Sequence, residues 1–256
     1  MTANQDFSPA IQISHLSFGY NQRNVLTDVN LTVDANDTLC IVGPNGGGKT
    51  TLIKLILGLL TPSSGNISVF GRTPHEAHMD FGYVPQYANY DPQFPISVRD
   101  VVCMGRLGHM TSNRFNKEDK QVAMDALEQV TLADRANSPF AALSGGQRQR
   151  VLIARAIAST GRILILDEPT ANIDHEAEEH FFDMLARLTD RMTILMVTHE
   201  VGFASTFFKR IACVNKTVVI HPTSELTGEL IQNMYGGDLR MIRHDHKCSC
   251  KGHTIG

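Results

Sequence analysis

No stretch of this sequence stays apolar for long enough to cross a bilayer. Its most apolar window, Leu52–Leu60, is interrupted by Lys54 and Gly58 and falls well short of the roughly 20 residues a spanning helix needs. A broad basic field is missing too. The 23 basic and 26 acidic residues leave a net charge of −3, so non-specific nucleic-acid binding is excluded as a first expectation and no nucleic-acid partner is foreseen. The opening MTANQDFSPA has no basic segment followed by an apolar run, so no secretory leader is expected. Tryptophan is absent and cysteine is sparse. Cys40, Cys103 and Cys213 stand singly in apolar stretches and read as small core residues of a reduced compartment. What is plentiful is core material: 42% of 256 residues are hydrophobic, ample for a globular domain.

The early residues alternate polar and apolar at Ile11, Ile13, Leu16 and Phe18, then at Val25, Val29, Leu31 and Val33. This predicts two or three short strands with turns around Gly19–Asn24 and Asp34–Asp37. Thr38–Val42 is an uninterrupted apolar run, typical of a strand buried on both faces. A glycine-rich loop and a helical pattern over Thr51–Leu59 follow. Further strands are predicted at Asn66–Phe70, Phe81–Val84, Ile163–Leu166, Thr193–Val197, Arg210–Val214 and Thr217–His221. Helices are predicted at Val98–Met104, Lys117–Val130, Gly145–Ala158, His175–Leu188 and Val201–Phe208. Between Gln86 and Ser97 prolines and aromatics mark an irregular connection. Strands alternating with helices indicate an α/β fold with a largely parallel sheet and helices on both faces. Residues 88–160 read as a helical insertion, residues 10–236 as one domain, and residues 237–256 as a polar tail.

Residues 43–50 read Gly-Pro-Asn-Gly-Gly-Gly-Lys-Thr and satisfy G-x-x-x-x-G-K-[ST] between a buried strand and a helix. Gly43, Asn45, Gly46, Gly47 and Gly48 let the backbone wrap a phosphate and aim N–H groups at it. The helix N-terminus at Thr50 and Thr51 adds partial positive charge. Lys49 supplies a full charge to the β- and γ-phosphates, and the Thr50 hydroxyl can ligate Mg²⁺. The blander alternative is a glycine-rich turn. Ile163–Glu168 is an apolar strand ending in two acids. Strand C-terminal ends form the ligand crevice of open α/β sheets. Asp167 is therefore placed to hold Mg²⁺, and Glu168 to polarise an attacking water. A helix cap before Pro169 would account for Asp167 alone. Thr193–His199 delivers His199 by the same strand-end logic, to sense the γ-phosphate or position the water.

Leu143–Gln147 reads Leu-Ser-Gly-Gly-Gln at the start of a helix. A capping box explains Ser144 and Gln147. It does not explain Gly145 and Gly146, which cost up to ~1 kcal/mol each against alanine in a helix. Adjacent glycines there imply that another group, naturally a phosphate, approaches the backbone closely.

Taken together these residues resemble the ATP-binding cassette (ABC) ATPases of membrane transporters, over roughly residues 10–222. The phosphate loop, Gln86 of the Q-loop, the signature Leu143–Gln147, Asp167–Glu168 and the switch histidine His199 occur in the family's order. Tyr20 matches the aromatic residue that stacks on adenine; the blander reading is a half-buried strand aromatic. Ala171–Asp174 occupies the D-loop, where many members carry Ser-Ala-Leu-Asp, and Gly47 replaces a common alanine. Neither departure removes a required group. The resemblance implies a P-loop NTPase core with an N-terminal antiparallel β subdomain and a helical insertion. It also implies two cassettes facing head to tail, each ATP clamped between the phosphate loop of one and Ser144–Gln147 of the other. It brings Gln86 to the Mg²⁺ beside Thr50 and Asp167. It further implies a second cassette, identical or related, and a separate multi-span permease docking near Gln86–Arg106, where Tyr87, Tyr90, Phe94, Pro95 and Met104 supply apolar area. Those aromatics would equally serve to pack the insertion onto the core.

Phe81–Arg106 and Asp167–Asp174 are similar to the zinc- and manganese-importer branch. That branch implies an extracytoplasmic metal-binding protein and a peripheral place on the cytoplasmic face of the membrane. Iron-siderophore importers share parts of the pattern, and a soluble cluster-assembly ATPase fits the length. The tail carries His244, His246, Cys248, Cys250 and His253. Imidazole and thiolate suit Zn²⁺ or Cu⁺ better than Mn²⁺. The spacing is not that of a structural zinc site, so a polar tail meeting metal only opportunistically fits as well.

Overall fold

A computed structural model describes residues 9–21, 23–86, 90–110, 114–170, 175–198 and 207–225. Tyr87, the D-loop with Asp174, His199, most of the helix predicted at Val201–Phe208, the 236/237 domain boundary and the His/Cys tail lie outside these residues.

The alternation read in the first residues becomes two long strands, β1 (Ile11–Tyr20) and β2 (Arg23–Val33), paired antiparallel. Their third partner comes from further along the chain. β4 (Ser64–Val69) pairs with β1 from Ile11↔Val69 to Ser17↔Ser64, giving the sheet order β2-β1-β4. Pairing with β1 explains why β4 starts earlier than the apolar pattern suggested.

The second sheet runs β5-β6-β7-β3-β8-β9. Its members are β3 (Thr38–Val42), β5 (Phe81–Val84), β6 (Ile163–Asp167), β7 (Thr193–Val197), β8 (Arg210–Asn215) and β9 (Thr217–Pro222). All neighbours pair parallel except β8 and β9, which form an antiparallel hairpin. Every residue of β3, β6 and β7 is buried. Alternate side chains serve opposite cores, as the two-residue strand period requires. Leu39, Ile41, Ile163 and Ile165 join the cluster that contains Leu52, Ile53, Leu55 and Ile56 of α1 (Lys49–Ile56) and the antiparallel sheet. Cys40, Val42, Leu164 and Leu166 join the other, with α2 (Val98–Cys103), α3 (Lys117–Gln129), α4 (Gly145–Ala158) and α5 (His175–Ala186). Helices therefore cover both faces.

The insertion is built from α2, α3 and α4, which pack on one another pairwise. Its buried tie is Arg106, whose Nε donates to Asp119 Oδ1 at 3.2 Å. Asn116 caps α3 in a reciprocal box with Asp119. Some boundaries moved for local reasons. α1 begins at Lys49 because Gly48 takes the cap position with φ 110°, and it ends before Gly58, at φ 72°. α2 gives way at Met104 to a 3-10 turn, where a Cβ on Gly105 would lie 2.1 Å from the Arg155 carbonyl oxygen. Cys40 and Cys103 are buried, and burial pushes the Cys213 thiol up to about 11, so none of the three is poised to react. No helix among the described residues is long and apolar enough to cross a membrane.

Candidate active site

The parallel strands β3, β6 and β7 end side by side, and their C-terminal ends gather the predicted residues. After Val42 the chain turns through Gly43 (φ 146°), Gly46 (φ 76°) and Gly48 (φ 110°). Two of the loop's glycines are imposed by close approach. A Cβ on Gly43 would stand 2.1 Å from the Val214 carbonyl oxygen, and one on Gly47 2.7 Å from the same atom. The hairpin of β8 and β9 holds the loop there: the Lys216 amide donates to the Gly47 carbonyl at 3.0 Å, and the Thr27 amide to the Lys216 carbonyl at 2.7 Å. The departure at Gly47 thus has a structural cause.

Lys49 is buried, and its Nζ donates to the carbonyls of Gly43 at 2.7 Å and Pro44 at 3.1 Å. Burial lowers its pKa, against the opposing pull of the Glu168 and Asp167 carboxylates. Asp167 closes β6 and is buried. Glu168 follows in the left-handed region (φ 50°), its amide fixed to the Val197 carbonyl at 2.9 Å. A non-glycine residue there costs about 1–3 kcal/mol. The Gln86 amide donates to the Glu168 carboxylate. Thr50 and Gln86 are exposed and Thr51 half-buried, with Asn45 and Gly46 at the open lip of the loop. Thr198 is buried at the end of β7, its amide on the Ile41 carbonyl at 3.2 Å; His199 follows it in sequence.

Tyr20 ends β1 with 46% exposure, its ring edge-on to Phe18 at 4.9 Å. Ser144 caps α4: its Oγ accepts from the Gln147 amide at 3.3 Å, and Gln147 Oε1 accepts from the Ser144 amide at 3.0 Å. A Cβ on Gly145 or Gly146 would meet nothing within 4 Å. The capping box is real, and the glycines have no reason among the described residues of this chain.

One neighbour of the site was missed. Tyr83, half-buried on β5, has its phenol pushed up to about 12, by burial first and by Asp167 second. Its signal was available: it lies near the C-terminal end of a strand that leads directly to Gln86.

Oxygen donors on Thr50, Asp167 and Gln86 are the hard ligands that Mg²⁺ prefers. A strand, a glycine loop wrapped by close backbone contacts, a buried lysine and a strand-end acid define a P-loop nucleoside-triphosphatase. The family model described as ABC transporter matches residues 26–171. A Chlamydia pneumoniae chain named "Probable metal transport system ATP-binding protein" is 44% identical over 86% of this chain and 92% of its own. The manganese transport system ATP-binding protein of Bacillus subtilis is 37% identical over 95% and 98%. The zinc transport system ATP-binding protein of Treponema pallidum is 36% identical over 89% and 87%. Among solved structures, an ABC transporter in an inward-facing conformation superposes with a TM-score of 0.79 at 33% identity, covering 88% of each chain. A dimeric ATP-binding cassette with ADP and phosphate superposes at 0.72 and 26% identity, over 83% and 98%. The chain belongs to the ABC transporter family and is an ATPase of it.

Proposed function

We propose that this chain is the ATPase subunit energising a separate permease that imports a divalent metal ion, zinc first and manganese next. Two copies, or this chain and a close relative, pair head to tail at the cytoplasmic face of the membrane, and an extracytoplasmic metal-binding protein delivers the ion. One observation carries the pairing. Ser144–Gln147 forms a well-made helix start whose two glycines clear space against nothing among the described residues of their own chain.

The residues take their roles from position. Lys49, placed over the loop, turns to the β- and γ-phosphates as ATP enters. The amides around Asn45–Thr51 hold the phosphate oxygens, and Tyr20 stacks on the base. Thr50, Asp167 and Gln86 would hold Mg²⁺, which supplies charge neutralisation at the phosphates. Glu168, oriented by Gln86, takes the proton of the attacking water. His199 contacts the γ-phosphate, and Asp174 lies at the pair interface. Ser144, Gly145, Gly146 and Gln147 close on the ATP of the other copy, so hydrolysis needs the pair.

The support for metal cargo is that relatives named for manganese and for zinc both match across most of the chain. The test is total cellular metal in the native host under metal limitation, comparing wild type with Glu168→Gln. A selective fall in zinc supports the zinc reading; a selective fall in manganese changes the cargo. No change in any metal overturns metal import. The tail residues His244, His246, Cys248, Cys250 and His253 are proposed to sense cytosolic metal and damp transport. Deleting Arg243–Gly256 should abolish ATPase inhibition by Zn²⁺; unchanged inhibition refutes that role.

A further inference from the structure

The C-terminal end of α3 faces α5 across a cavity, and its backbone there is strained. The amides of Thr131 and Leu132 donate to the carbonyls of Glu128 at 3.0 Å and Leu127 at 2.9 Å, the two bonds that close a helix through a left-handed turn. Glycine usually takes that turn. Here Thr131 takes it at φ 58°, and a β-branched residue with positive φ is an outlier. The hydroxyl accounts for it. Thr131 Oγ1 donates to the Val130 carbonyl at 2.7 Å and accepts from Arg150 Nη1 at 3.0 Å, so the strained residue fixes a guanidinium of α4. Strain of this kind collects at ligand clamps and switches.

Thr131 and Arg150 line one side of this cavity, whose volume of about 310 Å³ lies in the range that holds small molecules. The other side comes from α5 and the residue after it, Arg187. Arg150 makes both its bonds through Nη1, the second reaching the Val130 carbonyl at 3.5 Å. Its Nε and Nη2 make no hydrogen bond among the described residues, and Arg187 has no hydrogen-bond or ion-pair partner among them. Asp183 is the one carboxylate of the described lining and pairs with neither guanidinium, so the lining keeps a positive charge. Val130, Phe181 and Met184, all buried, supply its apolar part.

We propose that this cavity is a regulatory site for a small organic carboxylate. The anionic end takes the open side of the Arg150 fork together with Arg187, and the hydrocarbon body lies on Val130, Phe181 and Met184. The occupant joins α4 of the insertion to the end of α5 in the core. α4 begins at the Ser144–Gln147 signature, so the bound carboxylate restrains the segment that closes on a partner's ATP, and hydrolysis slows. Binding stands on this chain alone, whereas the braking effect rests on the head-to-tail pairing proposed above.

The probe is isocaproate, a small branched carboxylate, titrated calorimetrically into the full chain with ADP filling the phosphate loop. It should bind saturably at one site and raise Tm, while isocaproamide, with the same body and no charge, should do neither. Arg187→Gln should weaken the probe about tenfold or more and leave the ATPase rate without probe unchanged. Thr131→Gly should raise the Tm of the free chain, because the strained turn relaxes, and weaken the probe, because Arg150 is released. A turn with a structural task alone would raise Tm and leave binding as it was. The probe should lower the ATPase rate of wild type severalfold and that of Arg187→Gln much less. No saturable binding, equal binding of the amide, or binding indifferent to both substitutions overturns the site. Binding without any change in rate overturns the brake alone. Hydrolysis at full rate by an unpaired chain overturns the pairing and leaves the site in place.

Discussion

The two glycine-rich segments of this chain differ in what their glycines answer to. In the phosphate loop, Gly43 and Gly47 face the Val214 carbonyl so closely that a methyl group would collide with it, and Gly43 and Gly48 hold positive φ. Those residues are demanded by the chain's own packing. At the start of α4, Gly145 and Gly146 face empty space, in a helix whose cap is already satisfied. No described residue of the chain demands them; the head-to-tail pairing proposed above would. On the proposed pairing, one half-site is finished by folding and the other by association.

The strongest way to break that contrast is to fill the empty space. Gly146→Asp should leave folding and ATP binding by the single chain unchanged, while hydrolysis falls at least about 100-fold, read by calorimetric Tm, nucleotide binding and phosphate release. A large drop in Tm would mean that the glycine serves the monomer after all. Gly43→Ala should behave in the opposite way. The collision and the left-handed φ together should cost about 3 kcal/mol of stability, visible in urea unfolding without any nucleotide. Gly47→Ala should do the same to a smaller extent, since its φ is ordinary and only the approaches to the Val214 and Pro44 carbonyls must relax.

Much of this was legible in the residues, and the exceptions share a cause. β3, β5, β7 and α4 begin and end where the apolar runs and the Ser144 cap place them, because each is specified by its own residues. The pairing of β4 with β1 and the grip of Lys216 on Gly47 depend on residues far apart in sequence, which no local pattern reports. Gly47 illustrates the limit. As a letter it was a departure from a common alanine with nothing lost; only the position of the β8–β9 hairpin shows why alanine does not fit.

Tyr20 gives a milder test of the finished half-site. Its ring is half-exposed at the end of β1 and packs only edge-on to Phe18, so Tyr20→Ala should barely change stability. Loss of base stacking should weaken ATP binding about tenfold, in an equilibrium titration with the single chain. Tyr20→Phe should retain the affinity, because stacking uses the ring and not the hydroxyl. Unchanged affinity in Tyr20→Ala would return this residue to a purely structural role.

Ser144 is where the two halves of the contrast meet, because its hydroxyl already has a task inside the chain. It accepts the Gln147 amide and so caps α4, and Ser144→Ala should cost about 1 kcal/mol for that reason alone. If capping were its whole contribution, Ser144→Asp would restore stability and hydrolysis together, since aspartate caps as well as serine does. A hydroxyl that must also meet the γ-phosphate of a partner's ATP gives a different result. The carboxylate of Ser144→Asp keeps the helix start and repels the phosphate, so stability should return while hydrolysis stays low. Thermal unfolding and ATPase rate, measured on the same two variants, separate these outcomes. Full activity in Ser144→Asp would show that the signature serine only caps its helix, and would leave Gly145 and Gly146 to make the contact through their backbone.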